Sequence, residues 1–337
     1  MSQPNVQEPT VNSPIADLTY RNYDGPITSH TFRWWVVALS VLRTNLKKPG
    51  FWINGGLIVL IFLFQALLFF FSNNVAARIG GGSGGGTGDA PQKLMSYGTT
   101  AYQAISATSL LVTIAALIVG SGSIAADNRA NALLVYLSKP ITKGDYLLGK
   151  WMGVFMLLAA LVVLPTLLLW VFYATTYADE GFFKQEPWLW AKLMGASLIS
   201  PVINTSLMIG FSACTKNARL AGSLFAAFTF ILLTVSNTAG FLMFRNATLD
   251  QDLGAGKSVV RRAITVQHIS VRGVADGLSM ELLDVDPKKV MAGGPRKLRK
   301  RLQSPYPLPL VGIGLLMIIL PIGIARAKIR AVEVVSG

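Results

Sequence analysis

The sequence predicts an all-α integral membrane protein with six transmembrane helices, and three observations carry that reading. Of 337 residues, 52% are hydrophobic and only 14% charged, whereas a water-soluble domain carries about 25% charged residues. Six separate stretches are apolar enough to cross a hydrocarbon core, which takes about 20 residues each. None of the six holds an Asp, Glu, Lys, Arg or His. Cys214 is the only cysteine, which excludes a disulfide scaffold.

Residues 1–29 form a polar N-terminus with neither the basic start nor the apolar core of a signal peptide, and are expected to stay cytoplasmic. Residues 30–48 predict an interfacial amphipathic helix. Trp34 and Trp35 suit the headgroup depth, while Arg33, Arg43, Lys47 and Lys48 can reach headgroups. Pro49-Gly50 then turns the chain into the membrane region, 49–244. Its five spans are expected at Phe51–Ser72, Ile105–Ile124, Trp151–Ala174, Leu193–Ala213 and Leu220–Phe244, with a connecting loop at 125–150. A basic insertion, 245–306, separates these from the sixth span, 307–325, and the chain closes on a basic tail, 326–337. The glycine-rich stretch 80–88 reads as a flexible loop.

Basic residues set the orientation. They gather in residues 1–50, in the 125–150 loop (Arg129, Lys139, Lys143, Lys150) and in the tail (Arg326, Lys328, Arg330), so both termini are expected in the cytoplasm. The insertion breaks this pattern, ending in the run Arg296, Lys297, Arg299, Lys300, Arg301. The rule weakens for loops of about 60 residues, and an extracytoplasmic placement follows from the other segments. A re-entrant fifth segment, interrupted at Ser236, Asn237 and Thr238, would instead leave the insertion inside, and both placements stay open. The net charge of +14 reads as orientation and attraction to membrane lipids rather than to nucleic acid.

No catalytic, cofactor or metal constellation stands out. Gly144 to Lys150 has the spacing of a phosphate-binding loop, but Trp151 stands where a hydroxyl must bind Mg²⁺. Gly254-Ala-Gly256-Lys257-Ser258 lacks the first glycine, since Gln251 occupies its place. His30 and His268 are far apart and have no carboxylates at ligand spacing. Cys214 reads as a small packing residue. Carriers driven by an ion or proton gradient place ionisable side chains at mid-membrane, so six uncharged spans point away from that class.

The 125–150 loop is the most informative segment. Ala130, Leu133, Leu134 and Leu137 fall at i, i+3, i+4 and i+7, one face of a short helix. Asp127 can cap its start, and Lys139-Pro140 ends it. With the Pro140-Ile141-Thr142 turn and Tyr146, Gly149 and Lys150 leading into the third span, the segment resembles the signature of type-2 ABC exporter permeases. The Arg326-to-Val335 tail and the whole layout resemble that family too. Asp127 replaces its usual glutamate, and the 62-residue insertion is longer and more basic than the family's re-entrant helices.

The resemblance implies a permease subunit that is no enzyme itself. It would export an apolar or amphipathic cargo across a bacterial plasma membrane, paired with a second permease copy. Each copy would dock on a separate ABC ATP-binding subunit that holds ATP and Mg²⁺. Residues 127–138 would form the ATPase-coupling helix, with Asp127, Arg129, Ala130, Leu133, Leu134, Leu137 and Pro140, and the 30–48 helix would be the second contact. The competing class is a non-transporting scaffold or assembly protein acting through the basic 245–306 loop.

Overall fold

A computed structural model of the chain describes residues 32–80, 96–132, 141–179, 181–249, 257–290 and 304–329. Among these residues the elements are helices and there is no strand, as the sequence predicts. They are α1 (Arg33–Leu46), α2 (Pro49–Gly80), α3 (Tyr97–Gly120), α4 (Ala125–Arg129), α5 (Lys143–Thr176), α6 (Phe182–Gln185), α7 (Leu189–Ala213), α8 (Ala218–Leu249), α9 (Lys257–Gln267), α10 (Val271–Leu282), α11 (Pro287–Val290) and α12 (Pro307–Lys328). Six of them, α2, α3, α5, α7, α8 and α12, are long and apolar enough to cross a membrane.

Five of the predicted spans lie within one of these helices, whereas the second, Ile105–Ile124, overruns the end of α3 at Gly120 into the turn at 121–124, and most of the helices run further than predicted. Helix α3 begins eight residues before Ile105, where Tyr97, Gly98, Thr99 and Thr100 are buried. Ser96 accepts the Thr99 N–H to cap it. Helix α5 likewise begins at Lys143, inside the stretch read as loop, because Thr142 and Asp145 form a reciprocal capping box. That start brings Lys150 into the helix and buries it. Helix α8 continues without a break through Ser236, Asn237 and Thr238.

Helix α7 is the axis of the bundle, with 72% of its apolar window buried against 17% for α2 and for α8. It contacts α3, α5, α8, α10 and α12. Small residues allow the close approaches: a Cβ on Gly210 would stand 2.5 Å from the Pro321 Cβ of α12. Pro201 and Pro321 sit inside their helices. Two large apolar cores result, beside a small cluster of Val260, Ile264 and Phe244. One runs from α1 and α4 along α5, α7 and α12 as far as Val271 and Val274 of α10. The other is at the end opposite α1 and α4, where Phe69, Tyr97, Tyr173, Tyr177 and Phe182 join Leu189, Leu283 and Val285.

The insertion packs at that opposite end. Gly98, at the start of α3, meets the Leu283 carbonyl, and Gly195, near the start of α7, meets Leu282. Helix α9 lies along α8, and α10 is wedged among α3, α7 and α12. Ser270 caps α10 by accepting the Gly273 N–H at 3.0 Å. Asp276 of α10 is nearly buried, and Arg272 pairs with it at 3.3 Å. Burial outweighs that partner and raises the Asp276 carboxyl to about 6. A carboxyl with a raised folded-state pKa binds protons preferentially in the fold, so its contribution to stability falls as pH rises from its ordinary value of about 4 to about 6. Asp276→Asn should therefore gain thermal stability relative to the native chain across that window, by at most about 3 kcal/mol, and hold a constant advantage above it. Melting curves in detergent from pH 4 to 8 check this; a difference that does not vary with pH would refute it.

Candidate functional site

At the end of the bundle away from the insertion, the chain breaks helix α3 at Ser121-Gly122-Ser123 and restarts as α4. The break frees backbone groups, and side chains from other elements satisfy them. Lys48, between α1 and α2, donates its ammonium to the Ile118 carbonyl at 2.8 Å. Ser212 of α7 accepts the N–H groups of Ile124 and Ala125, each at 3.0 Å, and donates to the Ser121 carbonyl at 3.0 Å. It thus does the work of the side-chain cap that Ile124 lacks. Asn128 bonds the Ala213 and Thr215 carbonyls at 3.3 and 3.2 Å, where α7 ends.

Asp127 faces the other way, onto α5. Its Oδ2 lies 2.7 Å from the Lys150 Nζ and accepts the Tyr146 hydroxyl at 2.7 Å. Tyr146 and Lys150 stand one turn apart on one face of α5, which lets both reach a single carboxylate. The Asp127 and Lys150 side chains are only 17% and 11% exposed, and Tyr146 is fully buried. This is a mostly desolvated ion pair, which is costly to break from one side.

Helix α1 lies on the same helix. Val37, Ala38 and Val41 are its buried apolar face. A Cβ on Gly149 would come within 2.5 Å of the Trp34 carbonyl oxygen, and one on Gly153 within 2.7 Å of the Val41 Cβ. The pair Gly149-x-x-x-Gly153 is therefore the groove in which α1 rests. Tyr146, Gly149 and Lys150 each act in this junction, two on Asp127 and one on α1. The stretch from Gly144 to Trp151 is continuous helix, so it does not form the loop that a phosphate needs.

Several expectations need correction. Asp127 caps no helix, because α4 starts at Ala125 and the Asp127 carboxylate is spent on α5. A helix does not run on from Asp127: Arg129 ends α4, and Asn131 takes the left-handed φ of 50°, a conformation that asparagine tolerates. Lys48 does not reach for headgroups. It turns inward to Ile118, and burial lowers its ammonium below the ordinary lysine value. Cys214 is exposed rather than packed.

Arg129 and Ala130 are exposed beside the junction. On α1, Arg43 and Trp35 are exposed and Arg33 and Trp34 are half-buried, and Lys47, just past its end, is exposed. Leu133, Leu134, Leu137 and Pro140 lie outside the described residues, as do Arg296, Lys297, Arg299, Lys300 and Arg301. Ser212, Asn128 and the Thr142–Asp145 box were not singled out from the sequence. Only the last has a local signal, the Thr-x-x-Asp spacing before an apolar run.

A family model described as ABC-2 family transporter protein matches residues 5–280 of the chain. No curated protein matches it.

Proposed function

Because the chain belongs to the ABC-2 transporter family and carries six helices fit to span a membrane, we propose that it is the permease subunit of an ATP-driven exporter in a bacterial plasma membrane. ATP is hydrolysed on a separate ABC ATP-binding subunit, and the cargo leaves along a path formed with a second permease copy. Residues 127–138 dock on the ATPase subunit, with α1 as the second contact. The end bearing α1 and α4 faces the cytoplasm, and the insertion lies outside.

The observation that carries this reading is the α3–α4 junction. Its short α4 is tied to α5 through Asp127, Tyr146 and Lys150. Ser212 and Asn128 tie it to α7, and Lys48 ties the adjoining end of α3 to the α1–α2 corner. A displacement of residues 130–140 by closing ATPase subunits is then delivered to several spans at once as a rigid-body movement. Backbone satisfaction alone accounts for the Ser212 and Lys48 bonds; the buried Asp127–Lys150 pair is the tie that a mere connector would not need.

The test is purification of the tagged chain from its native membrane in mild detergent. An ATP-binding subunit should accompany it, and Leu133→Glu with Leu134→Glu should remove that companion while the permease still elutes as a single species. A companion retained by this variant refutes the docking role, and a stable preparation with no companion refutes the exporter reading. If activity then depended on the basic loop 245–306, the scaffold reading would stand.

A further inference from the structure

A cavity of about 630 Å³ opens between α3 and α8. Leu110, Ile114 and Leu117 form its α3 wall, and Ala227, Phe230 and Leu233 its α8 wall. The three α3 residues cover two turns, or roughly 10 Å. Among the described residues no carboxylate lines it, and Arg272 of α10 is its one charged group.

Arg272 marks one end. Its Nη2 donates to the Ser106 carbonyl at 3.3 Å, one turn beyond Leu110 toward the start of α3. Past it lies a second cavity of about 380 Å³ with a different lining, including Asn237, Gln267, His268, Ser270 and Asp276. Arg272 and Leu233 line both cavities. Along α8 the lining passes from Ala227, Thr229 (its hydroxyl donated back to the helix backbone) and Phe230 through Leu233 to the amide of Asn237. Wall chemistry and charge change at the same level.

We propose that the two cavities form one site for an anionic lipid, with an acyl chain between α3 and α8 and a phosphate head at Arg272. The charge on offer is the cation. Asp276 lines the head cavity as well, but it is paired with Arg272 and only 15% exposed against 42% for the guanidinium, so an approaching head meets the guanidinium first. Planar guanidinium donors match phosphate oxygens, and the amides of Asn237 and Gln267 can donate to the rest of the head. A cationic amphiphile is repelled by Arg272, and a zwitterionic head brings the same phosphate but also its own cation to the guanidinium, which weakens its hold relative to an anionic head. The site names the cargo class of the exporter proposed above and rests on that reading for its role in transport, though not for binding.

The test is native mass spectrometry of the purified full-length chain, offered equal amounts of phosphatidylglycerol and phosphatidylcholine with identical acyl chains. The native chain should retain phosphatidylglycerol by about tenfold. Arg272→Gln should reduce that preference to less than about threefold, and Arg272→Lys should keep most of it. Ala227→Phe, which fills the apolar part, should release both lipids. No preference in the native chain overturns the proposal whatever the variants do, and so does an unchanged preference in a folded Arg272→Gln chain. Phe230→Cys tests the competing occupant. A disulfide formed quantitatively between two copies, with no lipid retained, would show that a second chain fills the space. Binding is read without an ATPase subunit, so a lipid preference without a companion ATPase would sink only the exporter reading, and a companion without the preference only the cargo class.

Discussion

Lys150→Met is expected to be among the most damaging single changes in the chain, lowering stability by about 3–5 kcal/mol in a denaturant titration of the detergent-solubilised protein. The reason is the charge left behind. The methionine keeps the volume, but Asp127 remains nearly enclosed beside α5 with its cation gone. Asp127→Asn in the same chain should recover most of the loss, since an amide oxygen can still accept the Tyr146 hydroxyl and no unpaired charge remains. The two changes share one contact, so their effects must be strongly non-additive. A Lys150→Met chain within about 1 kcal/mol of native stability would show that water reaches the pair and that it does not lock α4 to α5. If the junction transmits motion as proposed, the double variant should also fold well and yet transport poorly.

The second large effect is expected at the seat of α1. Gly149→Ala and Gly153→Ala each place a methyl group where the α1 backbone or Val41 now stands, and overpacking of this kind costs about 1–3 kcal/mol. Both positions face the same helix one turn apart, so one outward shift of α1 relieves both. The double variant should therefore cost less than the two single changes together. The shift can be read independently at Ala38, which lies on the buried face of α1 and is completely inaccessible. In an Ala38→Cys background made free of Cys214, thiol labelling should be slow until the alanines are introduced and fast afterwards. Slow labelling in the double variant would mean that α1 has not moved and that the predicted close contact is not there.

The six spans were legible because hydropathy records what faces lipid, and α2 and α8 are the plainest examples. A helix before Pro49 was legible too, although α1 runs Arg33–Leu46 where 30–48 was expected. What the sequence hid was where the charges go. Lys48 was read as reaching for headgroups, Asp127 as a helix cap and Lys150 as a loop charge, yet all three turn inward onto partners 19 to 70 residues away. Separations of that kind leave no local pattern. The α3–α4 break was hidden for a related reason. Ser121-Gly122-Ser123 adjoins an apolar run without interrupting it visibly, and only Ser212 and Lys48, brought in by the fold, make a break there affordable. Gly149 was noticed through a family pattern, while its cause, the carbonyl of Trp34 resting against it, is a tertiary contact.

The contrast between α7 and α8 has a mechanical meaning. A helix enclosed by protein takes its tilt from its neighbours, whereas one bordered by acyl chains takes it from them. Helix α8 has 32 residues, about 48 Å of rise, against a hydrocarbon core of about 30 Å. Whatever part of it a second copy covers, the remainder has to lean or protrude to fit. Bilayer thickness is therefore expected to act on α8 more than on α7, and through α8 on the space between α3 and α8.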